Sequence, residues 1–402
     1  MTAAAQGAIP FIVAAMVAAT ALSFVLSPFA IRLAQRFGAI DLPDASRRVH
    51  RQEVPRGGGV AVVASFVGVG IGALVINDMV GAVPAVRSLP VEQLAALFGG
   101  AALAAALGFL DDRYQLRARW QLLIQLSVAG VAVAAGVNIG FIDNPFQFLG
   151  GPFDFGIIEF GAEVAIMVTV LWIVGMINSI NFIDGLDGLS TGISLIAAVT
   201  LAIAALRLDL PAVAMPCAVL AGALAGFLPW NFHRARVFIG TTGVYAVGYA
   251  LAILSILGVG KVAVAMLVLG VPIIDTFWII IRRLSSRRSP FTPDRGHFHH
   301  RLLDLGLTHR GAVLVIYGIC GLLALLSLVL SGTGSLYAFM GVVVGGGLVL
   351  YLMTRRAREA LDARTYEAQE PTEALTVEAA EAEREREALA TGTDSRAHRP
   401  EA

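Results

Sequence analysis

Long apolar runs alternate with short polar clusters along most of this chain. Runs able to cross a hydrocarbon core of about 30 Å occupy 9–31, 58–77, 92–110, 120–141, 161–177, 189–206, 211–230, 243–258, 262–281, 311–331 and 336–353. In lipid such a run must satisfy its own backbone hydrogen bonds, which an α-helix does. The pattern therefore predicts an all-α integral membrane protein with eleven transmembrane helices across 1–354. Polar connections fall near 32–57, 111–119, 178–188, 231–242 and 282–310.

Composition agrees: 57% of the 402 residues are hydrophobic and 14% charged, which excludes an ordinary soluble domain. The first apolar run has no basic stretch before it, while Arg32 and Arg36 follow, so it reads as a retained anchor with its N-terminus outside. Alternate loops then gather nearly all the arginines, among them Arg47, Arg48, Arg56, Arg113, Arg234, Arg282 and Arg301. The opposite loops hold only Arg87, Arg207 and Lys261, which places the C-terminus and the polar motifs on the cytoplasmic side. Residues 355–402 carry twelve acids and eight arginines without an apolar face, and read as a charged, mostly disordered cytoplasmic tail. Cys217 and Cys320 fall within predicted spans and read as small packing residues.

Candidate chemistry concentrates at the ends of the runs. Asn178, Asn181, Asp184 and Asp187 are spaced three apart in N-S-I-N-F-I-D-G-L-D-G-L, where one apolar run stops. Two carboxylates and two carboxamides on one half of a helix end supply oxygen donors for a hard cation or a charged ligand. Asp111 and Asp112 open D-D-R-Y-Q-L-R at another membrane edge. Side chains about 100° apart allow one to face a site while the other caps a helix or pairs with an arginine. Alone, the pair would be only a charged interfacial loop.

Within P-D-R-G-H-F-H-H-R-L-L-D, His297, His300, Arg301 and Asp304 form one polar face of a short helix. His297 and His299 cannot share a helical face, so phosphate oxygens suit this cluster better than zinc; an amphipathic helix on anionic lipid is the plainer alternative. The first polar loop carries Asp41, Arg47, Arg48, His50 and Arg56 ahead of three glycines. Guanidinium groups there could grip phosphates or merely set topology. Asp275 lies seven residues before Arg282 inside an apolar run, where an acid is either functional or paired with a neighbouring helix.

Taken in order, these motifs resemble the polyprenyl-phosphate N-acetylhexosamine-1-phosphate transferases, glycosyltransferase family 4. The resemblance covers residues 10–355 and rests on D-x-P-x-x-R-x-x-H, D-D at 111–112, N-x-x-N-x-x-D-G-x-D-G-L, P-x-x-D at 272–275, and H-x-H-H-R-L-L at 297–303. The last motif looks like the branch using UDP-N-acetylglucosamine, and less like the UDP-muramoyl-pentapeptide branch, where three consecutive histidines are expected. The resemblance implies transfer of a sugar-1-phosphate from a UDP-sugar to undecaprenyl or decaprenyl phosphate at the bacterial cytoplasmic membrane, with release of UMP. It implies Mg²⁺, or Mn²⁺ in its place, no nucleic-acid partner, and is compatible with a homodimer. Its expected roles are Asp111 or Asp112 toward the lipid phosphate, Asn181, Asp184 and Asp187 on the metal and nucleotide, and His297, His299, His300 and Arg301 on the diphosphate. Arg47, Arg48, His50, Asn178 and Asp275 would complete substrate binding.

One position departs from the family pattern. F-M-G-D-x-G-S is expected before the eighth span, and this chain reads F-I-G-T-T-G-V at 238–244, with Thr241 at the expected metal-ligand aspartate. A neutral hydroxyl removes a full charge from beside the cation, which leaves three explanations: other acids carry the metal, the chain is a catalytically impaired paralogue, or residue 241 was changed deliberately. A transporter fits less well, because carriers place polar groups at mid-membrane in repeated halves, whereas here they gather at one face.

Overall fold

The computed structural model describes residues 1–41, 53–81, 89–151, 156–258, 262–285, 297–330 and 333–390. Its helices in order are α1 (Ala3–Phe37), α2 (Gly59–Val80), α3 (Val91–Tyr114), α4 (Ala118–Ala134), α5 (Ala162–Ile183), α6 (Leu189–Arg207) and α7 (Pro211–Asn231). There follow α8 (Gly240–Leu257), α9 (Val262–Val268), α10 (Gly270–Ser285), α11 (Phe298–Asp304), α12 (His309–Val329) and α13 (Thr333–Ala390). Two short antiparallel hairpins interrupt them, β1 (Ile40–Asp41) with β2 (Val54–Pro55), and β3 (Phe141–Asp143) with β4 (Ile157–Glu159). The chain divides into two compact units, Met1–Gly347 and Leu348–Ala402.

All eleven apolar runs lie on helices, in three different ways. Among the described residues nine helices are long and apolar enough to cross a membrane. The run at 120–141 is carried by α4, whose 17 residues reach about 25 Å, short of a full hydrocarbon core. The run at 262–281 is broken at Leu269, where α9 and α10 meet at 78°. Periodicity does not reveal that break because both halves remain apolar.

Burial orders the bundle. Helices α7 and α8 are almost wholly enclosed, whereas α1, α12 and the start of α13 turn most of their surface outward. Small residues permit the closest packing: α1 lies along α7, where Gly222 and Gly226 face the carbonyls of Met16 and Thr20. Tyr249 on α8 reaches across to donate to the Ala96 carbonyl of α3 (2.8 Å). Cys217 and Cys320 are buried and not disulfide-bonded, as packing residues should be.

In the second unit the described backbone, from 348 to Ala390, is helical. Alanine, glutamate and arginine are strong helix formers, and Glu381 with Arg384 or Glu383 with Arg386 places opposite charges three residues apart. Such pairs sustain a helix without an apolar face.

The α1–α7 contact yields a test. A Cβ at Gly226 would collide with the backbone of Thr20, whereas one at Gly175 meets open space. Gly226→Ala is expected to cost about 1–3 kcal/mol through overpacking and to lower the melting temperature in detergent. Gly175→Ala should leave it unchanged or slightly raised.

Candidate active site

Helix ends converge on a cavity of about 300 Å³ lined by Asp41, Arg56, Asp112, Asn181, Asp184, Asp187, Asn231, Phe238, Thr241 and His300, with Gly185, Leu186 and Gly240. Asp112, Asp184 and Asn231 stand at or just past the C-terminal ends of α3, α5 and α7, and Thr241 stands at the start of α8. Residues far apart in sequence thus meet at one end of the bundle.

Backbone pairing fixes one wall. Phe238 N–H donates to Pro55 O (2.9 Å), Gly58 N–H to Phe238 O (2.9 Å) and Gly59 N–H to Ile239 O (2.9 Å). A Cβ at Gly58 would strike the Phe227 ring, and one at Gly59 the Gly243 backbone, so the glycines allow this approach. The pairing sets Arg56 in the cavity with its guanidinium 2.7 Å from Asp41 Oδ1.

The two adjacent aspartates part ways. Asp112 accepts from Thr241 N–H (2.8 Å), Thr242 N–H (2.8 Å) and the Thr242 hydroxyl (2.6 Å), capping the first turn of α8 from across the bundle. Asp111 accepts from Leu116 N–H (3.0 Å) and Gln121 Nε2 (2.9 Å), which closes the turn between α3 and α4. Asp112 lines the cavity and Asp111 does not.

The polar run after α5 divides likewise. Asn178 exchanges hydrogen bonds with Gln125 on α4 (2.7 and 3.3 Å) and does not line the cavity. Asn181, Asp184 and Asp187 do line it. Burial raises the Asp184 carboxyl to about 6, opposed by the Ser190 hydroxyl and Arg56 and reinforced by Asp112 and Asp187. Asp187 Oδ2 accepts from Ala235 N–H (3.1 Å) and lies 3.4 Å from His233 Nδ1, while its own N–H donates to His309 Nε2 (3.1 Å).

Of the three clustered histidines, only His300 reaches the cavity lining. His297 is held by Asp275, whose Oδ2 lies 2.9 Å from Nδ1 and whose Oδ1 accepts Phe298 N–H (2.8 Å). Asp275 therefore anchors the start of α11. His299 is buried in a notch over Gly185, where any Cβ would overlap its ring. Neither of its ring nitrogens has a hydrogen-bond partner among the described residues. Burial, then the neighbouring His300, His297 and His309, push its pKa well below the ordinary 6.5. Arg301 is half-buried on the same helix and outside the lining.

Arg47, Arg48 and His50 lie outside the described residues. Asn231 and Ser190 were not singled out from the sequence. Asn231 bridges Thr191 Oγ1 (2.7 Å) and Val237 O (3.0 Å), and a polar residue ending the apolar run at 211–230 was its only signal.

With this geometry in hand, known proteins add a consistent pattern. The profile of glycosyl transferase family 4 matches residues 94–259. A probable undecaprenyl-phosphate N-acetylglucosaminyl 1-phosphate transferase of Bacillus subtilis is 39% identical over 312 residues, covering 76% of this chain and 81% of the relative. A decaprenyl-phosphate N-acetylglucosaminephosphotransferase of Mycolicibacterium smegmatis is 33% identical over 352 residues, covering 80% and 83%. An undecaprenyl-phosphate alpha-N-acetylglucosaminyl 1-phosphate transferase of Thermotoga maritima is 30% identical over 283 residues, covering 69% and 78%.

The notch over Gly185 predicts a pH response. With its folded pKa depressed below 6.5, His299 takes a proton more readily in the unfolded chain, so stability is lost as pH falls below that value. Thermal unfolding measured between neutral and mildly acidic pH should show this slope, and His299→Gln should flatten it.

Proposed function

Because the chain belongs to glycosyl transferase family 4, we propose that it transfers N-acetylglucosamine 1-phosphate from a UDP-sugar to a polyprenyl phosphate, releasing UMP. The observation carrying this reading is the convergence of Asp112, Asp184 and Asp187 with Arg56 and His300 in one cavity at a single end of the helix bundle. Arginine asymmetry supports a cytoplasmic face for that end, in the bacterial cytoplasmic membrane, with the N-terminus outside and the C-terminus inside.

Chemically, a lipid-phosphate oxygen forms a bond to the sugar-bearing phosphorus of the donor, and the bond from that phosphorus to the bridging oxygen breaks. The electron pair leaves on UMP. An acceptor phosphate with a second pKa of about 6 is largely ionised at neutral pH, so no strong base is required. Repulsion between anions is the main obstacle.

Arg56 and His300 offer donors to the diphosphate, and Asp41 holds the Arg56 guanidinium against the β1–β2 hairpin. Asp112 acts as a positioning residue, since its oxygens already hold the first turn of α8 and so aim Thr241 at the cavity. A cavity with several desolvated carboxylates, one of them raised to about 6, is chemically suited to a hard cation. Asp184, Asn181, Asp187 and the Thr241 hydroxyl would hold Mg²⁺. When bound, that ion neutralises diphosphate charge and stabilises the leaving group.

Purified protein given UDP-N-acetylglucosamine and undecaprenyl phosphate is expected to release UMP in a Mg²⁺-dependent manner. Arg56→Ala should lower turnover about 100-fold, and Thr241→Asp should tighten the metal requirement to lower Mg²⁺ concentrations. Silence from the unmodified chain with activity in Thr241→Asp would identify a paralogue impaired at that one position. Silence from both would overturn the proposed reaction.

A further inference from the structure

Behind the cavity wall, a second cluster shares Asp187 with the proposed chemistry and adds two histidines that the reaction does not use. Asp187, His233 and His309 bring one ligand atom each within 4.8 Å of one another, from three separate segments: the loop after α5, the turn after α7 and the first residue of α12. We propose that these three residues form a binding site for a divalent transition metal of the zinc class, distinct from the Mg²⁺ expected in the reaction cavity.

Geometry carries the inference. His233 Nδ1 is buried and makes no hydrogen bond among the described residues, yet it lies 3.4 Å from Asp187 Oδ2. Two ligand atoms bound tetrahedrally at about 2.0 Å from one zinc ion lie about 3.3 Å apart. Nε2 of His309 accepts the Asp187 N–H, so that nitrogen carries a lone pair and no proton, the form a metal binds. Ligation would shift that lone pair from the amide to the ion. The rings of His233 and His309 lie 5.2 Å apart, close enough for both to serve one ion.

Access and charge also fit. His233 and His309 line an open cleft together with Arg234, Thr308 and Arg310. A fourth ligand, water or an anion favoured by the two guanidinium groups, can enter there. Asp187 supplies the one carboxylate, and two imidazoles favour zinc-class ions over Mg²⁺, which prefers an all-oxygen shell. The ion would tie the D-G-L-D-G-L loop to the α7–α8 turn and to α12, bracing one wall of the reaction cavity from outside.

The test uses the full chain in detergent, stripped by chelator and titrated with Co²⁺ in saturating Mg²⁺, so it does not depend on turnover. The expected result is the visible ligand-field band of four-coordinate Co²⁺, saturating at one ion per chain and displaced by Zn²⁺. His233→Gln and His309→Gln should each weaken binding by about 100-fold or more, while His297→Gln leaves the band unchanged. Absence of the band in the unmodified chain, or its survival in both of the first two variants, would overturn the site. Should those variants fail to fold, zinc-edge X-ray absorption on the unmodified chain decides: two imidazoles with a carboxylate support it, and three imidazoles or oxygen ligands alone overturn it.

Discussion

A carboxylate buried at a membrane edge has to find donors, and Asp112 finds three of them on the first turn of α8. Leaving such a charge unpaired would cost several kcal/mol, so the α3–α8 junction is fixed wherever this bundle forms. Thr241 is aimed into the cavity by that junction, and the strand-like pairing of Phe238 with Pro55 and Gly58 lies just before it in sequence. Arg56 owes its place to the same pairing. One buried carboxylate thereby sets the register of two walls.

Partnership also explains why neighbouring motif residues separate in role. Asp111 and Asp112 differ by one step along α3, yet one closes a local turn and the other crosses the bundle. Asn178 and Asn181 differ by three, yet one binds Gln125 and the other meets the cavity. Asp275 and His297 are 22 residues apart and form one unit, because the carboxylate both orients the imidazole and accepts the first amide of α11.

Much of this was legible in the chain, and the limits have physical causes. Apolar run length identifies helices because lipid demands internally satisfied backbones, and every predicted run carries one. The bend at Leu269 and the shortness of α4 escape the same logic, since apolar composition does not report direction or pitch. Polar clusters at run ends marked the cavity, with Asp184, Asp187, Asp112 and His300 among them. Which member of each pair faces inward depends on partners such as Thr242, 130 residues away in sequence. The charged tail lacks an apolar face, and its helix draws instead on strong helix formers and opposite charges three apart.

The notch at Gly185 has a consequence for how the site comes into being. Its occupant, His299, is made 114 residues later in the chain than the glycine that receives it. Asp112, Asp184 and Asp187 are therefore all synthesised well before the ring that packs over Gly185. The loop that carries Asp184 and Asp187 can therefore reach its final packing only once the chain has been made as far as His299.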